Sequence, residues 1–196
     1  MLGRKGSAVS GYRQRQEFRG GSKHRSDGFS LVELVIVIVL ISFLVTLAIS
    51  RLLAVQVDAE RVTMETVAGT LRSALGMKVA ESIVKYQVPA LSKLEGSNPM
   101  DLLAETPHNY LGEFDGIDPA TLQDGSWYFD KRTKTLDYLV KNKGFFTGGA
   151  PNPPRARFAV TLVYSDRNGN GRFDPGVDEV QGLRLSPVEP YSWSRE

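Results

Sequence analysis

Between Leu34 and Ile49 the chain reads LVIVIVLISFLVTLAI, sixteen residues without a charge. Counted from Phe29 to Ser50 the run is 22 residues long, interrupted only by Glu33 near its head. About 20 apolar residues are what a helix needs to cross a bilayer. A segment of this length and composition has few folding options: in hydrocarbon every backbone N–H and C=O must be satisfied internally, which selects a helix. A carboxylate at one end of such a helix is expensive to bury, and it asks for a partner.

A secretory signal peptide also starts basic and apolar, but its apolar stretch is only about 7–15 residues and ends in a small-x-small cleavage site. Here the run is longer and carries an acid. An ordinary membrane anchor tolerates the length but gives no reason for the six residues Gly28-Phe29-Ser30-Leu31-Val32-Glu33. Those residues resemble the prepilin signature shared by type IV pilins and the pseudopilins of type II secretion. The resemblance implies a dedicated inner-membrane prepilin peptidase that cuts between Gly28 and Phe29 and N-methylates Phe29. It also places Glu33 at the family's glutamate position, where it serves assembly. Two departures stand beside it: the segment before the cut is long for the family, and Asp27 replaces the basic residue that often precedes the glycine.

Residues 1–28 suit a leader held in the cytoplasm. Arg4, Lys5, Arg13, Arg15, Arg19, Lys23 and Arg25 against Glu17 and Asp27 give a balance of +5. Positive charge beside a membrane helix keeps that end inside, so everything after Ser50 is expected outside the inner membrane, in the periplasm. Removing the leader takes the formal charge from +2 to −3. The basic character therefore belongs to the precursor, and nucleic acid is not an expected partner. Once Gly28 is cut away, Phe29 carries a positive amine, and Glu33 of a neighbouring subunit can neutralise it when helices pack side by side in the bilayer.

Past the apolar run the helix is expected to continue. Val57, Met64, Ala68, Leu71, Leu75, Val79, Ile83 and Tyr86 recur at steps of three, four or seven, the mark of one helical face. Asp58, Glu60, Arg61, Glu65, Arg72, Lys78 and Glu81 fill the opposite, solvated side. No proline occurs between Phe29 and Pro89, which should stop the helix just before it. Gly69 and Gly76 lower helix propensity but allow close packing. The expected organisation is thus a leader (1–28), a membrane-spanning half-helix (29–50), an amphipathic half-helix (51–88), a helix-to-sheet loop (89–126) and a sheet region (127–196).

The loop region is broken by Pro89, Pro99, Pro107 and Pro119, and one short helix is expected near Met100–Ala104. From Trp127 the period changes to two. Ser126–Asp130 and Thr135–Val140 read as a hairpin, with further strands at Arg155–Tyr164 and Val180–Leu185. Phe158, Val160, Leu162 and Tyr164 form one apolar face. Three or four antiparallel strands with one apolar face need a helix to cover them, and the stripe from Val57 is the natural cover. The fold class is α+β and pilin-like: one long N-terminal helix packed on a small antiparallel sheet.

A polar loop, residues 165–179, carries the second motif. Asp166, Asn168, Asn170 and Asp174 stand at alternate or near-alternate positions around Gly171, the order of oxygen donors in an EF-hand-like calcium loop. The bidentate glutamate position falls on Val177, with Asp178 the nearest acid. Asn-Gly and Asp-Pro-Gly are also ordinary turn formers, so a plain hairpin connection competes with a calcium site. No cysteine is present, which removes disulfides, thiol nucleophiles and Cys-ligated zinc. His24 lies in the leader and His108 is solitary. With no nucleophile elbow or phosphate loop, an enzyme is not expected.

The reading is therefore a structural subunit, a minor or accessory type IV pilin-like protein assembled into an inner-membrane-rooted filament. Its expected partners are the prepilin peptidase, other pilin or pseudopilin subunits, an assembly platform and the lipid bilayer. A type II secretion pseudopilin is the alternative within the same class. A membrane-anchored calcium-binding module that never assembles is the alternative outside it.

Overall fold

The computed structural model describes residues 29–194. The chain divides into two compact units, one ending at Leu44 and the other beginning at Val45. One helix, α1 (Leu31–Val84), contributes to both. Ser30 starts it: its hydroxyl accepts from the N–H of Val32 at 3.3 Å, satisfying one of the unpaired donors of the first turn. At the other end Gln87 N–H reaches back to the carbonyl of Ser82 (2.8 Å) and Tyr86 N–H to that of Ile83 (3.1 Å). This is the pattern of a Schellman stop. Tyr86 occupies the left-handed position with φ +54°, where glycine is the usual residue.

In the unit from Val45, α1 lies on a five-stranded sheet of order β1-β2-β3-β5-β6. The strands are β1 (Tyr110–Phe114), β2 (Trp127–Asp130), β3 (Thr135–Leu139), β5 (Arg155–Ser165) and β6 (Glu179–Pro187). A separate pair joins β4 (Phe146–Gly148) to β7 (Tyr191–Trp193). Along β5 burial alternates, with Ala156, Phe158, Val160 and Leu162 turned inward. Of these, Ala156, Phe158 and Val160 share one core cluster with Met64, Ala68, Leu71 and Leu75 of the helix and with Trp127, Phe129, Leu136 and Tyr138. Fully burying a side chain of this size contributes about 1.5–3 kcal/mol, so this face of α1 fixes the helix on the sheet.

Four expectations need correction. The helical stripe is buried only through Leu75: Val79 is half-buried, while Ile83 (56% exposed) and Tyr86 (94%) face solvent. Val79 sits over Gly182 of β6, and beyond it Tyr86 has turned into the left-handed stop. The loop region is more structured than its prolines suggest. It holds 3-10 turns at Val88–Leu94, Pro99–Leu102 and Pro119–Thr121, the second overlapping the short helix expected near Met100–Ala104. It also contains β1, which pairs with β2 in parallel, so the sheet is mixed. Finally, Tyr164 leaves the inner face because the β5–β6 register shifts between Val163 and Tyr164; its ring instead meets Phe173 edge-on at 5.4 Å.

Candidate functional site

Gly28 and the rest of residues 1–28 lie outside the described residues. Phe29 is exposed, and Ser30 and Glu33 stand at the N-cap and third helical positions, the spacing of a capping box. The Ser30 hydroxyl accepts from Val32 at the second helical position rather than from Glu33 at the third, so it caps the helix without closing that half of the box. The signal for it, Ser-x-x-Glu, was readable in the sequence and gives Glu33 a second role: its charge sits in the first turn, where the helix dipole favours an anion. Every side chain from Leu31 to Ile49 is exposed. This stretch is long and apolar enough to cross a membrane.

A second surface of α1 is likewise exposed. Leu52, Val55, Ala59, Val62, Thr66, Gly69, Ser73, Gly76, Ala80 and Ile83 follow one another at alternating steps of three and four. Such a repeat forms one seam along a helix. All are exposed except Gly69, which is half-buried. None is charged, and the hydroxyls bond to their own helix: Thr66 donates to the Val62 carbonyl (2.7 Å) and Ser73 to that of Gly69 (3.1 Å). Charges flank the seam in pairs, Arg61 with Glu65 (2.9 Å) and Lys78 with Glu81 (2.9 Å). Lys85 and Lys78 together hold the half-buried Glu81 carboxyl down to about 2. A Cβ added at Gly69 or Gly76 would meet nothing within 4 Å. Nothing among the described residues thus requires glycine at these two positions, although each costs about 1 kcal/mol of helix propensity relative to alanine.

The loop between β5 and β6 brings the expected oxygen donors into one network. Asp166 accepts the N–H groups of Gly169 and Gly171, both at 2.7 Å, and these bonds, Gly171 foremost, hold its carboxyl below the usual range. Asp174 Oδ2 accepts from the amides of Asn168 (2.7 Å) and Asn170 (2.5 Å). Asp178 caps the N–H of Arg167 (2.9 Å) and of Asp174 (2.7 Å). Beside it Arg167 pairs with Glu179 at 2.7 Å, a contact the motif did not announce. Gly169 and Gly171 take φ of +70° and +74°, which explains their place in the motif. For a cation the chemistry fits in kind, since oxygens dominate. As arranged, however, amide N–H groups satisfy Asp174. Among the described residues no group of three or more His, Asp or Glu side chains is placed to hold a metal.

Residues 23–49 match the family model described as the prokaryotic N-terminal methylation motif. That motif is the signature of prepilin-type proteins, and here it stands at the head of a pilin-like α+β fold. No curated protein and no solved structure matches the chain.

Proposed function

We propose that this chain is a prepilin-type structural subunit, a minor or accessory type IV pilin-like protein. In this reading a prepilin peptidase cuts between Gly28 and Phe29, methylates Phe29, and releases the subunit into a filament rooted in the inner membrane. One observation carries it: the methylation motif at 23–49 runs into an apolar stretch of α1, Leu31–Ile49, whose side chains are all exposed. The leader's positive balance supports a cytoplasmic N-terminus and a periplasmic C-terminal domain. The uncharged seam supports assembly over catalysis, because a solvated helix face normally carries charge. The filament is built from copies and related pilin or pseudopilin subunits on a membrane platform.

Glu33 in this scheme neutralises the Phe29 amine of a neighbouring subunit, which makes the packed filament the favoured place for both charges. The polar loop adds a weak calcium site built on Asp166, Asn168, Asn170 and Asp174, with Asp178 nearest the missing twelfth-position acid. Turning the two asparagine amides so that their oxygens face inward would supply the donors. The test of the main reading is co-expression with a prepilin peptidase. The wild-type chain is expected to lose residues 1–28, and Gly28→Val to keep them, because a side chain there obstructs approach to the bond.

A further inference from the structure

From Val45 to Gln56 the described side chains of α1 are exposed, and Val57, 3% exposed, is the first to bury. One turn further on, Glu60 receives four hydrogen bonds. Its Oε1 accepts the hydroxyl of Tyr138 (3.1 Å) and the N–H of Lys141 (2.6 Å). Its Oε2 accepts both the N–H (3.0 Å) and the side-chain amide (2.6 Å) of Asn142. Two consecutive backbone N–H groups at the end of β3 thus converge on one carboxylate, an arrangement that favours an anion. The donors are dipoles, and among the described residues no ion pair contributes. The same turn reaches the C-terminal strand pair: Phe145 N–H bonds the Asn142 carbonyl (3.0 Å), and Ser194 N–H bonds that of Phe145 (2.9 Å).

We propose that Glu60 is a latch that sets where α1 leaves the sheet, and that its release frees the first docked turn of the helix together with the 141–145 turn, leaving the core in place. The packing makes the release local. Met64, Ala68, Leu71 and Leu75, which anchor the helix to the sheet, all lie on the C-terminal side of Glu60. Val57 alone is buried before it, so little apolar surface opposes fraying once the carboxylate lets go. No ion pair holds the latch, so salt leaves it closed, whereas surface pairs such as Arg61–Glu65 weaken. The latch does not depend on filament assembly, so it stands or falls separately from the proposed function.

Hydrogen exchange on the full chain in detergent micelles tests it. Glu60→Gln keeps the shape but turns an amide toward donors that need an acceptor. Exchange is expected to rise about tenfold, the effect of leaving such donors unsatisfied, in residues 57–63 and 140–146 together. Residues 156–163 of β5 should stay protected. Asn142→Ala, which removes only one donor, should raise exchange in the same two segments by a smaller factor and serves if Glu60→Gln does not fold. Wild-type exchange in both folded variants, or a rise confined to 140–146, would overturn the proposal.

Discussion

Arg155 donates from Nε to Oδ2 of Asp137 at 3.1 Å, on the face of the sheet away from the helix, and the carboxylate is 3% exposed. The hydroxyl of Tyr128 donates to the same oxygen at 2.9 Å, while Oδ1 has no hydrogen-bond partner among the described residues. Arg155 then reaches the carbonyls of Pro151 (2.7 Å) and Pro153 (3.2 Å), so the pair fastens the loop before β5 to the centre of the sheet.

Burial pushes the Asp137 carboxyl up, against the opposing pull of its hydrogen bonds and of Arg155 and Arg157. A carboxyl raised in the folded state favours folding below its unfolded value, and that contribution is lost as pH rises through the folded value. Thermal melts from pH 7 toward pH 4 are therefore expected to show a term from Asp137 that opposes acid destabilisation. Asp137→Asn should remove that term. At pH 7 it should also lower stability, because the largely enclosed Arg155 loses its counter-charge. An unchanged pH profile in the variant would refute this role.

The N-terminal motif, the apolar run and the stop before Pro89 were legible because each is a local pattern. The alternation of β5 was legible for the same reason. Strand β1 was not: Tyr110–Phe114 is short, and Gly112 has φ +101°. Its parallel partner lies beyond an intervening 3-10 turn. The exposure of Ile83 was hidden because periodicity gives a face but not how far the opposing sheet extends. The roles of Glu60 and Asp137 were equally silent, since their donors are distant backbone groups and side chains brought together only by the fold.

Replacing Gly69 and Gly76 together by leucine separates the two uses of α1. Among the described residues a Cβ at either site meets nothing within 4 Å, and leucine is the better helix former by nearly 1 kcal/mol per site, so melting should rise or hold. Incorporation into filaments should fall, because the seam can no longer approach a neighbouring helix closely. Normal assembly, or a clear loss of stability, would contradict the seam's role.

Calcium at the β5–β6 loop is expected to bind weakly, on the order of 10⁻⁴–10⁻³ M, since Val177 occupies the bidentate position. Millimolar calcium should raise the melting temperature of the wild-type chain in micelles. The double variant Asp166→Ala, Asp174→Ala should show no calcium response. Without metal, the lowered carboxyl of Asp166 supports the loop above the ordinary aspartate value of about 3.9, and this support is lost as pH falls through the folded value. Identical melts in calcium and in chelator would leave the segment a hydrogen-bonded turn.

Glu33→Ala makes the apolar segment more apolar, so membrane insertion should be intact when read by fractionation. Recovery in sheared filaments should drop, because the Phe29 amine then has no carboxylate opposite it in hydrocarbon. A defect in insertion with normal assembly would place Glu33 outside the assembly contact.

The N-terminus of the wild-type chain recovered from membranes or filaments tests the central claim most directly. Mass spectrometry is expected to find a first residue Phe29 carrying one N-methyl group, with residues 1–28 gone. A chain that begins after Ser50, or one that keeps Met1 in assembled material, would contradict the account.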